Sequence, residues 1–173
     1  MKSLFTSHFS FVRCLLLAAL LFVVAPCGAA EPAQQLFQFH RSTNRNYICY
    51  DVQQTNGQLD TKKPLHVYWI RAEEDGAKKE LSLIQRTLAF GYKVVSRGDN
   101  ESTIHLTAYS KLHIRICQRQ GKWVALATIN GQEAVLNRLF AQMRSPNSLH
   151  VEYVDLFGKS TATGADVTER IRQ

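Results

Sequence analysis

From Thr103 to Ile129 apolar and polar residues alternate in short runs broken by turn-forming dipeptides, a pattern that suits strands with one buried face. Thr103 to Ala108 and Leu112 to Cys117, joined by Tyr109-Ser110-Lys111, are expected to pair as a hairpin, with Ala108 opposite Leu112, Leu106 opposite Ile114 and Ile104 opposite Ile116. That register puts the six apolar residues on one face and Thr103, His105, Thr107, His113, Arg115 and Cys117 on the other. Gln120-Gly121 turns the chain into Lys122 to Ile129, and Asn130-Gly131 is the clearest hairpin signal present. Glu133 to Met143 fits a helix through Leu136, Leu139, Phe140 and Met143, or a strand through Val135, Leu139, Ala141 and Met143. The preceding Asn-Gly turn favours the strand.

Leu36 to His40 and Tyr47 to Val52 read as two further strands, with Asn44 and Asn46 suited to left-handed turn geometry between them. Asn56-Gly57 marks a tight turn. Leu65 to Ile70 shows no polar alternation, which calls for cover on both faces. An amphipathic helix of about three turns is expected next. Asp75 serves as its N-cap, Ala77, Leu81, Ile84 and Leu88 form its apolar stripe, and Gly91 follows its last turn. Tyr92 to Arg97, Leu149 to Phe157 and Val167 to Ile171 complete the strands. The expectation is a mainly β fold, an antiparallel barrel or sandwich of nine or ten strands, with one helix inserted after the third strand.

Cys14 to Ala25 is a 12-residue apolar run behind Lys2 and Arg13, well short of the roughly 20 residues that span a bilayer. Small residues at Gly28 and Ala30 suit cleavage before Glu31, so residues 1–30 are expected to be a secretory signal peptide and 31–173 a single β-rich domain without a transmembrane helix. Lipidation at Cys27 is the competing reading, opposed by Pro26 just before it. Cleavage removes Lys2 and Arg13 and lowers the formal charge from +7 to +5, a mild excess without long runs of like charge. Nucleic acid is not an expected partner; the basic excess suits an ordinary solvated face, with anionic envelope components as the alternative. In an oxidising compartment Cys49 and Cys117 are expected to form a disulfide, the alternative being two buried thiols.

The segments Arg41-Ser-x-Asn-x-Asn-Tyr-x-x-Tyr-Asp51, Pro64-x-x-Val-Tyr-Trp-Ile70, Ile84-Gln-Arg86, Ala89-Phe-Gly-Tyr-Lys93, Ile129-Asn-Gly131 and Tyr153-x-x-Leu-Phe-Gly158 resemble a family of secreted bacterial proteins classed as a domain of unknown function. The resemblance implies one exported domain and carries no catalytic residues.

Phe157-Gly-Lys-Ser160 ends like a P-loop but has Tyr153 where that motif needs glycine, and neither GxSxG nor HExxH occurs. Cofactors and a resident metal are not expected. His105 and His113 share the polar hairpin face with Arg115, in diagonal positions from which two imidazoles could share a metal, but spacing supplies no third ligand. The stronger candidate ligand-binding set is aromatic and cationic: Arg45, Asn46, Tyr47, Tyr68, Arg86, Tyr92 and Lys93. The chain therefore reads as a non-enzymatic, exported module binding a small amphipathic or anionic ligand or an envelope component. An envelope hydrolase acting on lipid or glycan through the His105, His113 and Arg115 face is the first alternative. A structural subunit of an envelope complex, marked by an exposed apolar patch, is the second.

Overall fold

A computed structural model describes residues 33–145 and 150–172; the expected leader and Cys27 lie outside the described residues. The described chain is β1 (Gln35–Arg41), β2 (Tyr47–Val52), the two-residue strands β3 (Gln54–Thr55) and β4 (Gln58–Leu59), β5 (Leu65–Arg71) and β6 (Ala77–Glu80). A helical turn, α1 (Leu83–Gln85), continues into a π turn (Arg86–Phe90). Then follow β7 (Tyr92–Gly98), β8 (Glu101–Leu106), β9 (Tyr109–Arg119), β10 (Lys122–Ile129), β11 (Gln132–Met143), β12 (Val151–Ser160) and β13 (Asp166–Arg172). Apart from the β3–β4 pair, the strands form one curled sheet, a half-barrel, in the order β6-β5-β2-β1-β11-β10-β9-β8-β7, with β12 and β13 branching from β11. The mainly β expectation holds. The sheet is mixed, because β1 runs parallel to β11.

The branch arises from the length of β11. Gln132 to Val135 pairs with β10, Arg138 to Ala141 pairs with β1, and β12 covers the opposite edge from Ala134 to Met143. Two strands thus leave the same edge of β11 and diverge. The Gln34 side chain bridges them, donating to the Trp123 carbonyl at 2.8 Å and accepting from the Trp123 N–H at 3.2 Å. Its amide stands in for a strand residue, so the splayed backbone keeps its polar groups satisfied.

Residues 133–143 are strand because their alternate side chains belong to the shared core: Ala134, Leu136, Leu139 and Ala141 are buried. The concave face collects Phe37, Ile48, Tyr50, Val67, Trp69, Ile104, Ile114, Ile116 and Ile129 into one cluster. Tyr50 stacks on Phe37 with ring centres 4.3 Å apart, and its hydroxyl donates to the Phe90 carbonyl at 2.8 Å. Burial pushes its pKa up, so the phenol stays a neutral donor. On the far side of the curl, the Tyr92 hydroxyl donates to the Leu65 carbonyl at 2.8 Å and accepts from the Leu65 N–H at 3.2 Å. This phenol joins β7 to β5, whose strands do not pair, and the seam left beside it is a cleft.

The helix expectation is corrected. Asp75 and Gly76 have positive φ, 51° and 75°, and form the turn of the β5–β6 hairpin; Ala77 to Glu80 is strand rather than helix. The N-cap is Ser82, in a capping box where its hydroxyl accepts from the Gln85 N–H and the Gln85 side chain accepts from the Ser82 N–H. Only Leu81 of the expected stripe is buried, while Ile84 and Leu88 are exposed, because a short helix followed by a π turn does not keep an α-helical stripe in line.

The β8–β9 hairpin is also shifted. Ile104 faces Ile114 and His105 faces His113, two residues from the expected register, because the chain turns at Thr107-Ala108 and the ladder is irregular at Leu106. A shift of two preserves which face each side chain occupies, so the apolar face still points inward. Neither Asn44 nor Asn46 adopts positive φ. Their turn is held by the Asn44 side-chain oxygen accepting from the Asn46 N–H at 3.1 Å.

Cys49 and Cys117 are free thiols. They lie on β2 and β9, with β1, β11 and β10 between them. Four interstrand spacings amount to about 19 Å, whereas a disulfide needs Cα atoms about 5.5–6 Å apart. Both alternate with core residues and therefore sit on the convex face, where they cannot meet across the interior. The Cys49 thiol donates to the Gln35 side-chain oxygen at 3.0 Å; burial, aided by Asp51, pushes its pKa up to about 11. An aromatic disulfide reagent applied at pH 8 to the chain beginning at Glu31 is expected to label both cysteines only after denaturation. Rapid labelling of Cys49 in the native protein would contradict this burial.

Candidate functional site

The α1 and π-turn segment stands between two clefts. Gly91 fixes its end: a Cβ there would lie 1.9 Å from the Arg86 carbonyl oxygen, so only glycine lets the chain leave the π turn this tightly. Phe90 is thereby buried edge-on against Trp69, ring centres 5.2 Å apart, and also meets Phe39 at 5.7 Å.

The first cleft, about 650 Å³, is the open seam between β5 and β7. Lys62, Lys63, Arg86, Lys93 and Arg97 line it with His66, and Glu80 is its carboxylate. Glu80 is engaged by His66 at 2.7 Å and by Arg86 at 3.7 Å. Three residues of the candidate set, Arg86, Tyr92 and Lys93, come together here, with the Tyr92 hydroxyl committed to Leu65.

The second cleft, about 600 Å³, lies on the other side of the helix and is lined by Arg41, Asn44, Asn46, Trp69, Arg71, Glu80 and Gln85 among others. Five buried side-chain polar atoms among the described residues lack a hydrogen-bond partner, and three belong to this cleft: Arg41 Nε, Asn46 Oδ1 and Trp69 Nε1. The Arg41 guanidinium carbon sits 5.3 Å from the ring centres of both Trp69 and Phe90. Among the described residues Arg41 is in no ion pair, while its neighbour Arg71 is held by Glu74. Burial lowers the Arg41 pKa, yet a guanidinium stays charged. A half-buried cation normally has a carboxylate in an ion pair with it; here, among the described residues, the guanidinium is met by two aromatic rings.

The remaining candidates lie elsewhere. Arg45 is exposed on the β1–β2 turn, and Tyr47 stacks on His40 at 4.9 Å; neither lines these clefts. Tyr68 is buried on the convex face, where its hydroxyl donates to Asp51 at 2.8 Å and Lys78 lies 3.5 Å over its ring. Burial, then the Asp51 carboxylate, push its pKa up. His105 and His113 are directly opposite. Arg115 beside them pairs with Glu133 at 2.8 Å and Glu101 at 3.8 Å, and no cluster of three metal-ligating side chains occurs among the described residues.

Residues 37–170 match the model of a family described as a domain of unknown function, DUF4833. The chain belongs to the DUF4833 family. No curated protein and no solved structure matches it. No helix among the described residues of this DUF4833 chain is long and apolar enough to cross a membrane. Arg41 and Trp69 are not in the candidate set; Arg41 is the last residue of β1, and nothing local marks it as facing Trp69. Period-two spacing puts Trp69 on the same face as Val67, but it does not encode that Trp69 lines a cleft.

Proposed function

We propose that this protein is a non-enzymatic binding module for a small organic carboxylate that also carries a hydroxyl group, held in the Arg41 cleft and exported as a soluble protein. The observation that carries the reading is the set of unpartnered polar atoms at one cleft. Arg41 Nε and Trp69 Nε1 are donors that suit the two oxygens of a carboxylate, and Asn46 Oδ1 is an acceptor that suits a hydroxyl. Leaving all three unpaired in a folded protein costs on the order of 1–3 kcal/mol each, which a ligand meeting them would recover. A volume near 600 Å³ is the size of a small-molecule site. Export rests on residues 1–30, and the intact mass of periplasmically expressed protein tests cleavage before Glu31.

The test is a thermal-shift screen with hydroxy acids and sugar acids, followed through tryptophan emission. Trp69 borders the ligand while Trp123 is buried at the β1–β10 fork, so a bound carboxylate should perturb emission from Trp69 alone. A ligand present at a hundred times its Kd adds about 2.7 kcal/mol to stability. If no carboxylate in the series shifts either the melting temperature or the emission of wild-type protein, the reading fails.

A further inference from the structure

A different surface carries a second role. Leu83, Ile84 and Leu88 are 79%, 70% and 70% exposed, far beyond what three large aliphatic side chains on one short segment normally show, and Val95 joins them at 52%. Val95 is turned outward because the β7–β8 ladder slips between Val94 and Ser96. The segment bearing the three residues is not loose. Its start is held by the Ser82–Gln85 capping box and its end by buried Phe90, whose carbonyl accepts from Tyr50. The apolar knob is thus presented rigidly rather than left over from poor packing.

Charge says what it meets. The same segment carries Arg86, which lines the seam cleft with Lys62, Lys63, Lys93 and Arg97. Among the residues lining the cleft Glu80 is the one carboxylate, already engaged by His66 and Arg86; Asp60 beside the cleft accepts from the Lys62 and Lys63 backbone N–H groups, and the Lys62, Lys63, Lys93 and Arg97 side chains form no ion pair among the described residues. Aliphatic side chains flanked by lysine and arginine match the interface of an anionic bilayer, where the apolar groups enter the acyl boundary and the cations meet phosphate. A protein partner would need an acidic rim around an apolar socket; a bilayer of acidic phospholipid supplies both features with one surface.

We propose that the α1 and π-turn segment, with the basic seam beside it, docks this protein onto a bilayer of anionic phospholipid. The docking surface adjoins the Arg41 cleft across α1, but its apolar residues and seam cations are not in that cleft and the docking does not rest on it. Vesicle co-sedimentation decides the matter, with the chain beginning at Glu31, phosphatidylglycerol–phosphatidylcholine vesicles, and pure phosphatidylcholine vesicles as reference. Wild type should sediment with the acidic vesicles, weaken as salt is raised, and bind the zwitterionic vesicles at least about tenfold less. The triple variant Leu83→Ser, Ile84→Ser, Leu88→Ser should lose about tenfold or more in partitioning while keeping its melting temperature, since the three side chains contribute no core packing. Lys93→Ala with Arg97→Ala should erase the preference for acidic lipid. Arg41→Met should sediment like wild type, which separates this surface from the carboxylate site. The proposal is overturned if wild type fails to bind acidic vesicles, or if the triple variant binds as well as wild type. It is equally overturned if wild type is a dimer in solution that the triple variant dissociates, because the patch then belongs to a second copy.

Discussion

Gly91→Ala is expected to destabilise the fold by about 3 kcal/mol, a drop in melting temperature of roughly 10 °C, although it adds one methyl group. The φ at Gly91 is an ordinary −72°, so conformational freedom is not the issue. The added Cβ would stand 1.9 Å from the Arg86 carbonyl oxygen and 2.9 Å from its carbon. Backbone cannot rotate aside as a side chain can, so the π turn must open. Opening it moves Phe90, strips the Tyr50 hydroxyl of its acceptor, and leaves a fully buried phenol unpaired, which alone costs about 1–3 kcal/mol. Urea denaturation followed by tryptophan fluorescence reads the effect. A loss below about 1 kcal/mol would mean that the turn relaxes freely and that Gly91 does not position the helix.

Arg41→Met is expected to abolish the response to carboxylates while leaving the unliganded protein as stable as wild type or more so. Methionine keeps a long apolar stem for Trp69 and Phe90 to cover and removes a charge that burial penalises and that no ion pair among the described residues offsets. The two halves of the expectation pull apart a binding residue from a structural one, since a residue kept for packing would destabilise when replaced. Retained carboxylate binding would remove Arg41 from the site. A loss of more than about 1 kcal/mol without ligand would show instead that the stacked guanidinium holds the fold together.

Period-two alternation carried most of the strand assignment. Tyr47–Val52 and Lys122–Ile129 have the same bounds in the sequence reading and in the structure, and Asn130-Gly131, with φ of 50° and 74°, turns the chain where its composition demanded. The misread helix had two local signals that pointed elsewhere. Asp75-Gly76 is a hairpin dipeptide and Ser82-x-x-Gln85 a capping box, but the 3.6-residue spacing of Ala77, Leu81, Ile84 and Leu88 outweighed them. That spacing describes the residues correctly and their environment wrongly: the structure leaves Ile84 and Leu88 on the surface.

The sequence by itself determined most of the long strands and which face of each is apolar, though not β6, because both depend on contacts between near neighbours and survive even a two-residue slip at His105. Strand order was decided only in three dimensions. That β1 would run parallel to β11 and share its edge with β10 depends on residues about a hundred positions apart, and this fork keeps Cys49 from Cys117. The same curl sets Arg41 between Trp69 and Phe90, from three separate stretches of chain, and no local pattern encodes a meeting of that kind.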